Sequence, residues 1–235
     1  MFKTAVVLVG GRGTRLGALT DHTPKPLIDV CGRPFLAHVF DYLTSQGVET
    51  CVLATGYLGQ MFVEEFGDHY SGLALRYVQE KTPLGTGGAI LGCAESLSGP
   101  FIVLNGDTLF PIDLRAMFAM HMAASAELTI GARWVDQVAR YGSLHVDGDR
   151  VVSMAEKGAD GAGVINGGVY ALTREIFGAR KPGDAFSFER DVMPQAVSRG
   201  HVHAFSGTSY FRDIGVPDDL ELARRELGDF RHLLR

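Results

Sequence analysis

Residues 3–36 read KTAVVLVGGRGTRLGALTDHTPKPLIDVCGRPFL and join a strand to a glycine-rich turn. The apolar run at positions 6–9 is rich in valine, which is typical of a central parallel strand. Gly10, Gly11 and Gly13 then allow the backbone to turn tightly. Because exposed backbone N–H groups in such a turn attract anions, the turn is a candidate phosphate-binding loop.

This turn differs from two better-known glycine loops. It is not a P-loop, because no Gly-Lys-Ser/Thr sequence closes it. It is not the dinucleotide-binding motif either, since position 16, where the third glycine would stand, holds Leu16. A nicotinamide-dependent oxidoreductase is also disfavoured, because no acidic residue ends a second strand about 20 positions after the loop. For the glycines taken alone, a plain strand-to-loop turn stays open.

Two basic residues favour the phosphate-binding interpretation. Arg15 lies in the turn, and Lys25 follows ten residues later between Pro24 and Pro26. A proline on each side restricts the backbone around Lys25, and a flexible exposed lysine needs no such restraint. The two side chains therefore make a bare structural turn the weaker alternative.

Composition sets limits on the class of protein. A chain of 235 residues that is 46% hydrophobic, with 30 Gly and 9 Pro, fits one α/β domain with a substantial core, although two small domains are not excluded. The net charge of −5 argues against a nucleic-acid-binding surface. Basic residues occur singly at motifs, which suits the binding of a small anionic ligand.

Targeting signals and cysteine chemistry are not indicated. The sequence contains no run of 18 apolar residues and no charged-then-apolar leader, so we expect neither a membrane span nor secretion, and a cytoplasmic location. Cys31, Cys51 and Cys93 are odd in number and lack CxxC spacing. We interpret them as reduced thiols in apolar surroundings and not as metal or redox sites.

Strand-like and helix-like segments alternate up to about residue 110, which is typical of βαβ units. In this half we predict strands at 50–55, 74–79 and 101–105, and helices after Phe35 and at 58–69 and 89–97. In the remainder we predict strands at 127–135, 164–172 and 201–206, a hairpin at 143–155, and helices at 114–124, 188–199 and 217–227. The first half is therefore Rossmann-like, with a soft boundary near residue 110.

The run GGRGTRL followed by TPKPL resembles the signature of the sugar-1-phosphate nucleotidylyltransferases, enzymes that make NDP-sugars. The resemblance extends over nearly the whole chain. Within that family, the segments LGTGGAI, NGD, INGGVY, FSFERDV and FRDIGVPDD are most similar to those of the D-glycero-D-manno-heptose 1-phosphate guanylyltransferases. This resemblance implies GMP transfer from GTP to a heptose 1-phosphate, with pyrophosphate released.

The resemblance also implies an architecture. We expect an α/β fold, specifically a Rossmann-like three-layer α/β/α nucleotidyltransferase fold with a mixed, mainly parallel central sheet. Residues 1–235 would form a single nucleotidylyltransferase domain. About 1–110 would be the nucleotide-binding half and about 111–235 the sugar-phosphate-binding half. Because the chain ends one helix after the FRDIGVPDD segment, it is expected to be monofunctional.

The resemblance also implies which residues bind phosphate and metal. The catalytic residues implied are Arg15, Lys25 and Asp107. Arg15 would clamp triphosphate oxygens, and Lys25 would place a point charge on the transferred α-phosphate. Asp107 would bind Mg²⁺ together with Asp213, because two carboxylates and phosphate oxygens form an ordinary Mg²⁺ site. Taken singly, each aspartate is better explained as a turn or cap residue, and only the two together, behind this signature loop, favour metal binding.

The nucleotide and sugar sites are implied in the same way. The nucleotide-binding residues would be Gly10, Gly11, Gly13, Thr14, Arg15, Gln79, Glu80, Gly85 and Thr86. Glu80 or Gln79 could accept hydrogen bonds from guanine, although a solvated loop charge remains open for Glu80. The sugar-phosphate-binding residues would be Tyr141, Gly142, Glu156, Lys157, Asn166 and Gly167. Lys157 is followed by glycine where one common family pattern has proline, which leaves the placement of that loop open.

Alternatives remain at this stage. Within the family, the sugar could be mannose, glucose or N-acetylmuramate 1-phosphate, with GTP, UTP, CTP or dTTP as donor. A non-catalytic NDP-sugar sensor on the same scaffold is disfavoured, since it would not need both metal ligands. The expected partners are small-molecule substrates, namely an NTP and a sugar 1-phosphate, with no nucleic acid and no membrane. A homo-oligomer is left open.

Overall fold

The structure is a computed structural model that describes residues 1–11, 13–155, 161–207 and 210–228. Its strands are β1 (Thr4–Leu8), β2 (Thr50–Thr55), β3 (His69–Tyr70), β4 (Leu73–Gln79), β5 (Phe101–Asn105), β6 (Thr108–Leu109), β7 (Leu128–Val135), β8 (Ser143–Asp147), β9 (Arg150–Ala155), β10 (Gly163–Leu172), β11 (Val202–Ser206) and β12 (Arg212–Asp213). Its α-helices are α1 (Phe35–Ser45), α2 (Gln60–Phe66), α3 (Gly85–Ala94), α4 (Leu114–Ala123), α5 (Met193–Arg199) and α6 (Pro217–Glu226).

The described residues divide into two compact units, and the chain contributes to each unit more than once. The first unit contains residues 3–83, 104–111 and the described part of 209–235. The second contains residues 1–2, 84–103 and the described part of 112–208. The division of the chain at residue 110 that the sequence suggests stays a prediction.

The first unit is built on parallel strands. β1 pairs with β2, and β2 pairs with β4, both in parallel. The valines of β1 are fully buried, as expected for a strand that is covered on both faces. Helix α1 contributes Phe35, Val39, Phe40 and Leu43 to this core, each fully buried, which matches their helical spacing in the sequence.

The carboxyl ends of these parallel strands bring three loops to one edge. β1 runs into the glycine turn, β2 ends just before Gly56, and β4 ends just before Glu80. Gly10 and Gly56 lie so close that a Cβ on Gly10 would stand 3.2 Å from the Gly56 nitrogen. This edge is where ligands bind in open α/β sheets.

The second unit is mainly antiparallel. β10 pairs antiparallel with both β7 and β8, and β8 forms a hairpin with β9. β11, in contrast, runs parallel to its neighbour β7. The fold is therefore mixed as predicted, with parallel pairing concentrated in the first unit.

Several boundaries differ from the sequence-based expectation. α3 begins at Gly85, four residues earlier than predicted, because its glycines pack closely against residues 184–187. The predicted helix at 188–199 is a π-helical turn, Phe188–Val192, followed by α5. The short pair β6 and β12 was not predicted, since two-residue strands carry no periodicity. Cys31 is exposed and not in apolar surroundings, whereas Cys51 and Cys93 are buried free thiols.

No helix among the described residues is long and apolar enough to cross a membrane.

Candidate active site

The glycine turn packs against the stem of Lys25. Gly13 has a left-handed φ of +63°, and its carbonyl accepts a 3.1 Å hydrogen bond from the Thr20 hydroxyl. A Cβ at Gly13 would lie 2.9 Å from the Thr20 methyl and 3.4 Å from Lys25 Cβ. Glycine is therefore required both by the backbone and by close packing. The turn leads into a 3₁₀ helix, Thr14–Thr20, which places Arg15 on the surface.

Lys25 is held in a buried position. It begins a short 3₁₀ turn, Lys25–Leu27, and Pro24 precedes that turn in an extended conformation. The residue is only 7% exposed, and its Nζ donates a 2.7 Å hydrogen bond to Asp107 Oδ2. A buried ammonium group requires such a partner. The proline-flanked lysine of the sequence is thus pre-positioned, as its local restraint predicts.

Asp107 reaches Lys25 because Gly106 lets the chain pass closely over β1. The Gly106 nitrogen donates a 2.9 Å hydrogen bond to the Leu8 carbonyl. A Cβ at Gly106 would lie 2.7 Å from a Val9 methyl and 2.8 Å from that carbonyl oxygen. The glycine of the NGD segment therefore has a packing role, and it fixes where the aspartate emerges.

Asp213 lies beside Asp107 through the β6–β12 pair. Asp213 pairs with Thr108, and the Ile214 nitrogen donates a 2.9 Å hydrogen bond to the Asp107 carbonyl. Burial and the neighbouring Asp107 carboxylate raise the pKa of Asp213, and Lys25, the Gly215 N–H and Arg15 oppose this rise. The structure thus brings together the carboxylates of Asp107 and Asp213, which are 106 positions apart in the sequence.

Arg15 lies near the same carboxylates. One of its terminal nitrogens stands 3.3 Å from the position that a Cβ on Gly215 would occupy. The Gly215 nitrogen in turn donates a 2.6 Å hydrogen bond to Asp213 Oδ1. Two cationic side chains, Arg15 and Lys25, therefore lie close to the carboxylates of Asp107 and Asp213 in the first unit.

Arg212 is a supporting residue that the sequence did not reveal. Its guanidinium forms hydrogen bonds of 2.7 and 2.9 Å with the Glu226 carboxylate, and it lies 3.6 Å from Asp219. These contacts fix β12 to α6 and so hold Asp213 in place. The preceding Phe211 packs edge-on against Phe110, with 5.5 Å between ring centroids. The sequence does not identify this role, because the two acidic partners of Arg212 lie on α6 and form no local motif with it.

The carboxylates of Asp107 and Asp213 could bind a divalent cation only together with oxygen atoms from a bound ligand. Among the described residues, no cluster of three or more His, Cys, Asp or Glu side chains could hold a metal by itself. Asp107 and Asp213 supply two carboxylates whose mutual repulsion a cation would relieve. Hard cations that take oxygen ligands commonly use one or two carboxylates together with substrate phosphates. The two residues therefore fit such a site.

Glu80 lies at the carboxyl edge of the first unit. Its backbone nitrogen donates a 2.9 Å hydrogen bond to the Thr55 carbonyl, which extends the β2–β4 ladder by one residue. One of its carboxylate oxygens, Oε2, stands 3.7 Å from the position that a Cβ on Gly56 would occupy. The half-buried side chain thus faces the loop that touches Gly10, while the preceding Gln79 is exposed.

Gly85 and Thr86 lie at the start of α3, in the second unit. Gly85 has a left-handed φ of +71°, and a Cβ there would stand 2.6 Å from the Phe186 carbonyl oxygen. The Thr86 hydroxyl donates a 2.5 Å hydrogen bond to Glu189 and accepts one of 2.9 Å from the Phe188 nitrogen. Contacts within the protein therefore explain why residue 85 is a glycine, without reference to a ligand.

The sugar-site motifs of the second unit meet at a bulge in β10. The Asn166 nitrogen donates a 3.0 Å hydrogen bond to the Gly142 carbonyl, which places Asn166 and Gly167 beside Tyr141 and Gly142. The Asn166 side-chain oxygen accepts a 3.0 Å hydrogen bond from the Gly168 nitrogen. The register of β10 against β7 shifts between Asn166 and Tyr170. Bulges of this kind often aim side chains toward a site.

Glu156 and Lys157 lie outside the described residues. Ala155, the last residue of β9, pairs with Ser143, which follows Gly142. The end of β9 therefore lies beside the other sugar-site motifs.

The chain is similar along nearly its whole length to known proteins. A relative from Aneurinibacillus thermoaerophilus, a D-glycero-alpha-D-manno-heptose 1-phosphate guanylyltransferase, is 39% identical over 224 residues, which cover 95% of this chain and 97% of the relative. An enzyme of the same name from Campylobacter jejuni is 37% identical over 216 residues, covering 92% of this chain and 96% of that protein. The crystal structure of HddC from Yersinia pseudotuberculosis complexed with GMP-PN matches with a TM-score of 0.86 and 37% identity, over 97% of this chain and 100% of that chain.

A family model described as Nucleotidyl transferase matches residues 4–229, which include every described site residue named above. Members of this family typically use a divalent metal. The family model and the relatives together show that the chain belongs to the nucleotidyl transferase family.

Proposed function

We propose that this protein transfers GMP from GTP to D-glycero-D-manno-heptose 1-phosphate, forming a GDP-heptose and releasing pyrophosphate. The observation that carries the proposal is the Lys25–Asp107 ion pair, which lies beside Asp213 and Arg15 in the first unit. Its relatives' names supply the substrates: two relatives that match nearly the whole chain are heptose 1-phosphate guanylyltransferases.

The reaction joins two polyanions. An oxygen of the sugar 1-phosphate forms a bond to the α-phosphorus of GTP, the bond from that phosphorus to the bridging oxygen breaks, and pyrophosphate leaves with the electron pair. Such chemistry depends mainly on positioning and charge stabilisation. We assign Lys25 to the α-phosphate, Arg15 to the triphosphate oxygens, and the N–H groups of Gly10, Gly11 and Gly13 to the phosphates.

We assign Mg²⁺ to Asp107 and Asp213. When bound, the ion would supply positive charge to the triphosphate. Lys25 already neutralises Asp107 at 2.7 Å, so nucleotide and metal binding must redistribute these contacts. The raised pKa of Asp213 supports the same assignment, because a cation would relieve the repulsion between the two carboxylates.

We assign guanine recognition to Glu80, with Gln79, Gly85 and Thr86 contributing to the nucleotide site. A carboxylate can accept hydrogen bonds from both N1–H and N2–H of guanine. We assign the sugar phosphate to Tyr141, Gly142, Asn166 and Gly167, together with Glu156 and Lys157. Amide and carboxylate groups supply the paired donors and acceptors that a hydroxyl-rich ligand needs.

The location and assembly state are the remaining parts of the proposal. Three free cysteines are compatible with a reducing compartment, and GTP is a cytoplasmic metabolite, so we propose that the enzyme acts in the cytoplasm. Small molecules are its proposed partners, and a homo-oligomer stays a prediction.

A pyrophosphate-release screen tests the activity. The purified protein is incubated with Mg²⁺, each of GTP, ATP, UTP, CTP and dTTP, and each of a set of sugar 1-phosphates that includes heptose, mannose, glucose and N-acetylmuramate. We expect release only when both substrates are present, with GTP and the heptose 1-phosphate giving the highest kcat/KM. Release with another pair would reassign the substrates, and binding of NDP-sugar without any turnover would favour a sensor.

A further inference from the structure

The FSFERDV segment, residues 186–192, directly precedes α5 and has no role in the proposed reaction, yet it contacts the start of α3. Glu189 Oε2 accepts a 2.5 Å hydrogen bond from the Thr86 hydroxyl and a 3.0 Å hydrogen bond from the Ser187 hydroxyl. The Phe188 nitrogen donates a 2.9 Å hydrogen bond back to the Thr86 hydroxyl oxygen. The carboxylate and the hydroxyl thus form a closed network within the second unit.

Backbone contacts join the same two segments. The Phe186 nitrogen donates a 2.9 Å hydrogen bond to the Leu84 carbonyl, and the Gly87 nitrogen donates one of 3.0 Å to the Phe186 carbonyl. A Cβ at Gly85 or Gly87 would stand 2.6 or 2.2 Å from atoms of Phe186. The loop that enters α3 is therefore held from both sides, and its glycines are required for this fit.

The FSFERDV segment also has an unusual local structure. Phe188–Val192 forms a π-helical turn, and such turns occur frequently at functional sites. The turn is fixed by the Asp191 carboxylate, which accepts a 2.7 Å hydrogen bond from the Ser187 nitrogen, and by Arg180, which donates a 2.9 Å hydrogen bond to the Asp191 carbonyl. These hydrogen bonds fix the turn that carries Glu189 next to Thr86.

We propose that Glu189 is a positioning residue for nucleotide binding, which acts by fixing Thr86 and the Gly85–Thr86 backbone. The inference rests on the proposed function, in which this loop contacts the nucleotide. The Thr86 hydrogen is committed to Glu189, so the loop must offer its backbone groups to the nucleotide and not its hydroxyl donor. If the loop is not fixed in advance, the protein binds the nucleotide more weakly, because the entropy cost of ordering the loop is then paid on binding.

The test compares Glu189→Ala with Glu189→Gln, whose amide oxygen can still accept from both hydroxyls. Glu95→Gln is the matched control, because Glu95 is an exposed carboxylate at the other end of α3. GTP binding is measured by calorimetry without sugar phosphate, alongside kcat, both KM values and thermal unfolding. We expect Glu189→Ala to weaken GTP binding and raise the GTP KM about tenfold, with kcat and the sugar-phosphate KM changed less than about threefold. Glu189→Gln and the control should stay near the wild type.

Three outcomes overturn the inference: wild-type GTP binding by a folded Glu189→Ala protein, an equal loss in both KM values, or a Glu189→Gln defect as large as that of alanine. The last would mean that charge matters and not the hydrogen bonds to the loop. Failure of the proposed function is distinguishable, because it would leave the wild-type protein without turnover on any substrate pair.

Discussion

Lys25 and Asp107 are 82 positions apart in sequence and form a 2.7 Å ion pair beside the glycine turn. The pair fixes the orientation of a buried ammonium group before any substrate binds. In an active site that handles polyanions, such preorganised charge lowers the barrier without a reorganisation cost at the moment of reaction.

Lys25→Ala removes the proposed charge at the α-phosphate. We expect kcat to fall by about 10²-fold or more, because a donor aimed at developing charge is lost. Lys25→Arg should recover only part of the activity, since the guanidinium is larger and planar. Steady-state kinetics and circular dichroism check the change, and a folded Lys25→Ala protein with near-normal turnover would refute the assignment.

Asp107→Asn and Asp213→Asn test whether the two carboxylates share one Mg²⁺. Each variant should need far more Mg²⁺ for half-maximal activity, and the double variant should be little worse than either single one, because residues that act on one ion are coupled. Activity is titrated with Mg²⁺ in all four proteins, and Mn²⁺ binding is followed by electron paramagnetic resonance. Fully additive losses, or activity that survives EDTA, would contradict a shared ion.

The choice of base is tested at Glu80. If its carboxylate accepts from guanine N1–H and N2–H, GTP is preferred over ATP and UTP, because a base without those donors cannot make these two hydrogen bonds, a loss of about 1–3 kcal/mol. Glu80→Ala should then reduce the kcat/KM ratio of GTP to the other nucleotides. Glu65→Gln, at an exposed carboxylate on α2, serves as control. Better use of UTP, CTP or dTTP by the wild-type protein would refute both the base assignment and the heptose assignment.

The site of the first unit could be predicted largely from local signals. Three glycines after a valine-rich strand, and a lysine between prolines, restrict the backbone in ways that are visible in the sequence alone. The partnership of Asp107 with Asp213 could be inferred only from resemblance, because the strands that join them are two residues long.

The second unit was harder to predict for a physical reason. The glycines of LGTGG fit a ligand-binding loop, but in the structure Gly85, Gly87 and Gly88 accommodate residues 184–186, which are about one hundred positions away. Sequence patterns show that a close approach is needed and do not show which atoms approach. The same holds for Arg212, whose carboxylate partners lie on α6.

A pair of glycine variants in α3 tests this packing directly. A Cβ at Gly88 would stand 2.4 Å from the Asp184 carbonyl oxygen and 2.7 Å from Leu84 Cβ, whereas a Cβ at Gly92 meets nothing within 4 Å. Gly88→Ala should destabilise the protein by about 1–3 kcal/mol through overpacking. Gly92→Ala should be neutral or stabilise it by up to about 1 kcal/mol, since alanine favours a helix. Urea unfolding measures both, and equal effects of the two substitutions would contradict the described packing.

The acid sensitivity of folding is tested at His121. Burial, and to a lesser extent the nearby His203, lowers the pKa of His121 to about 4 from an ordinary value of 6.5, and its Nδ1 lies 2.9 Å from the Thr129 hydroxyl. Between these two values the unfolded chain binds a proton that the folded state does not bind, so the unfolding free energy falls as pH drops from 6.5 to about 4.

His121→Gln keeps a hydrogen-bonding side chain but cannot titrate. We therefore expect its unfolding free energy to fall less than that of the wild type over this pH window, even if it is less stable at neutral pH. His145→Gln, at an exposed position of the same unit, is the control and should retain the wild-type pH dependence. Urea unfolding at several pH values provides the comparison. If His121→Gln lost stability with acid as steeply as the wild type, the buried neutral imidazole would not be the cause of the acid sensitivity.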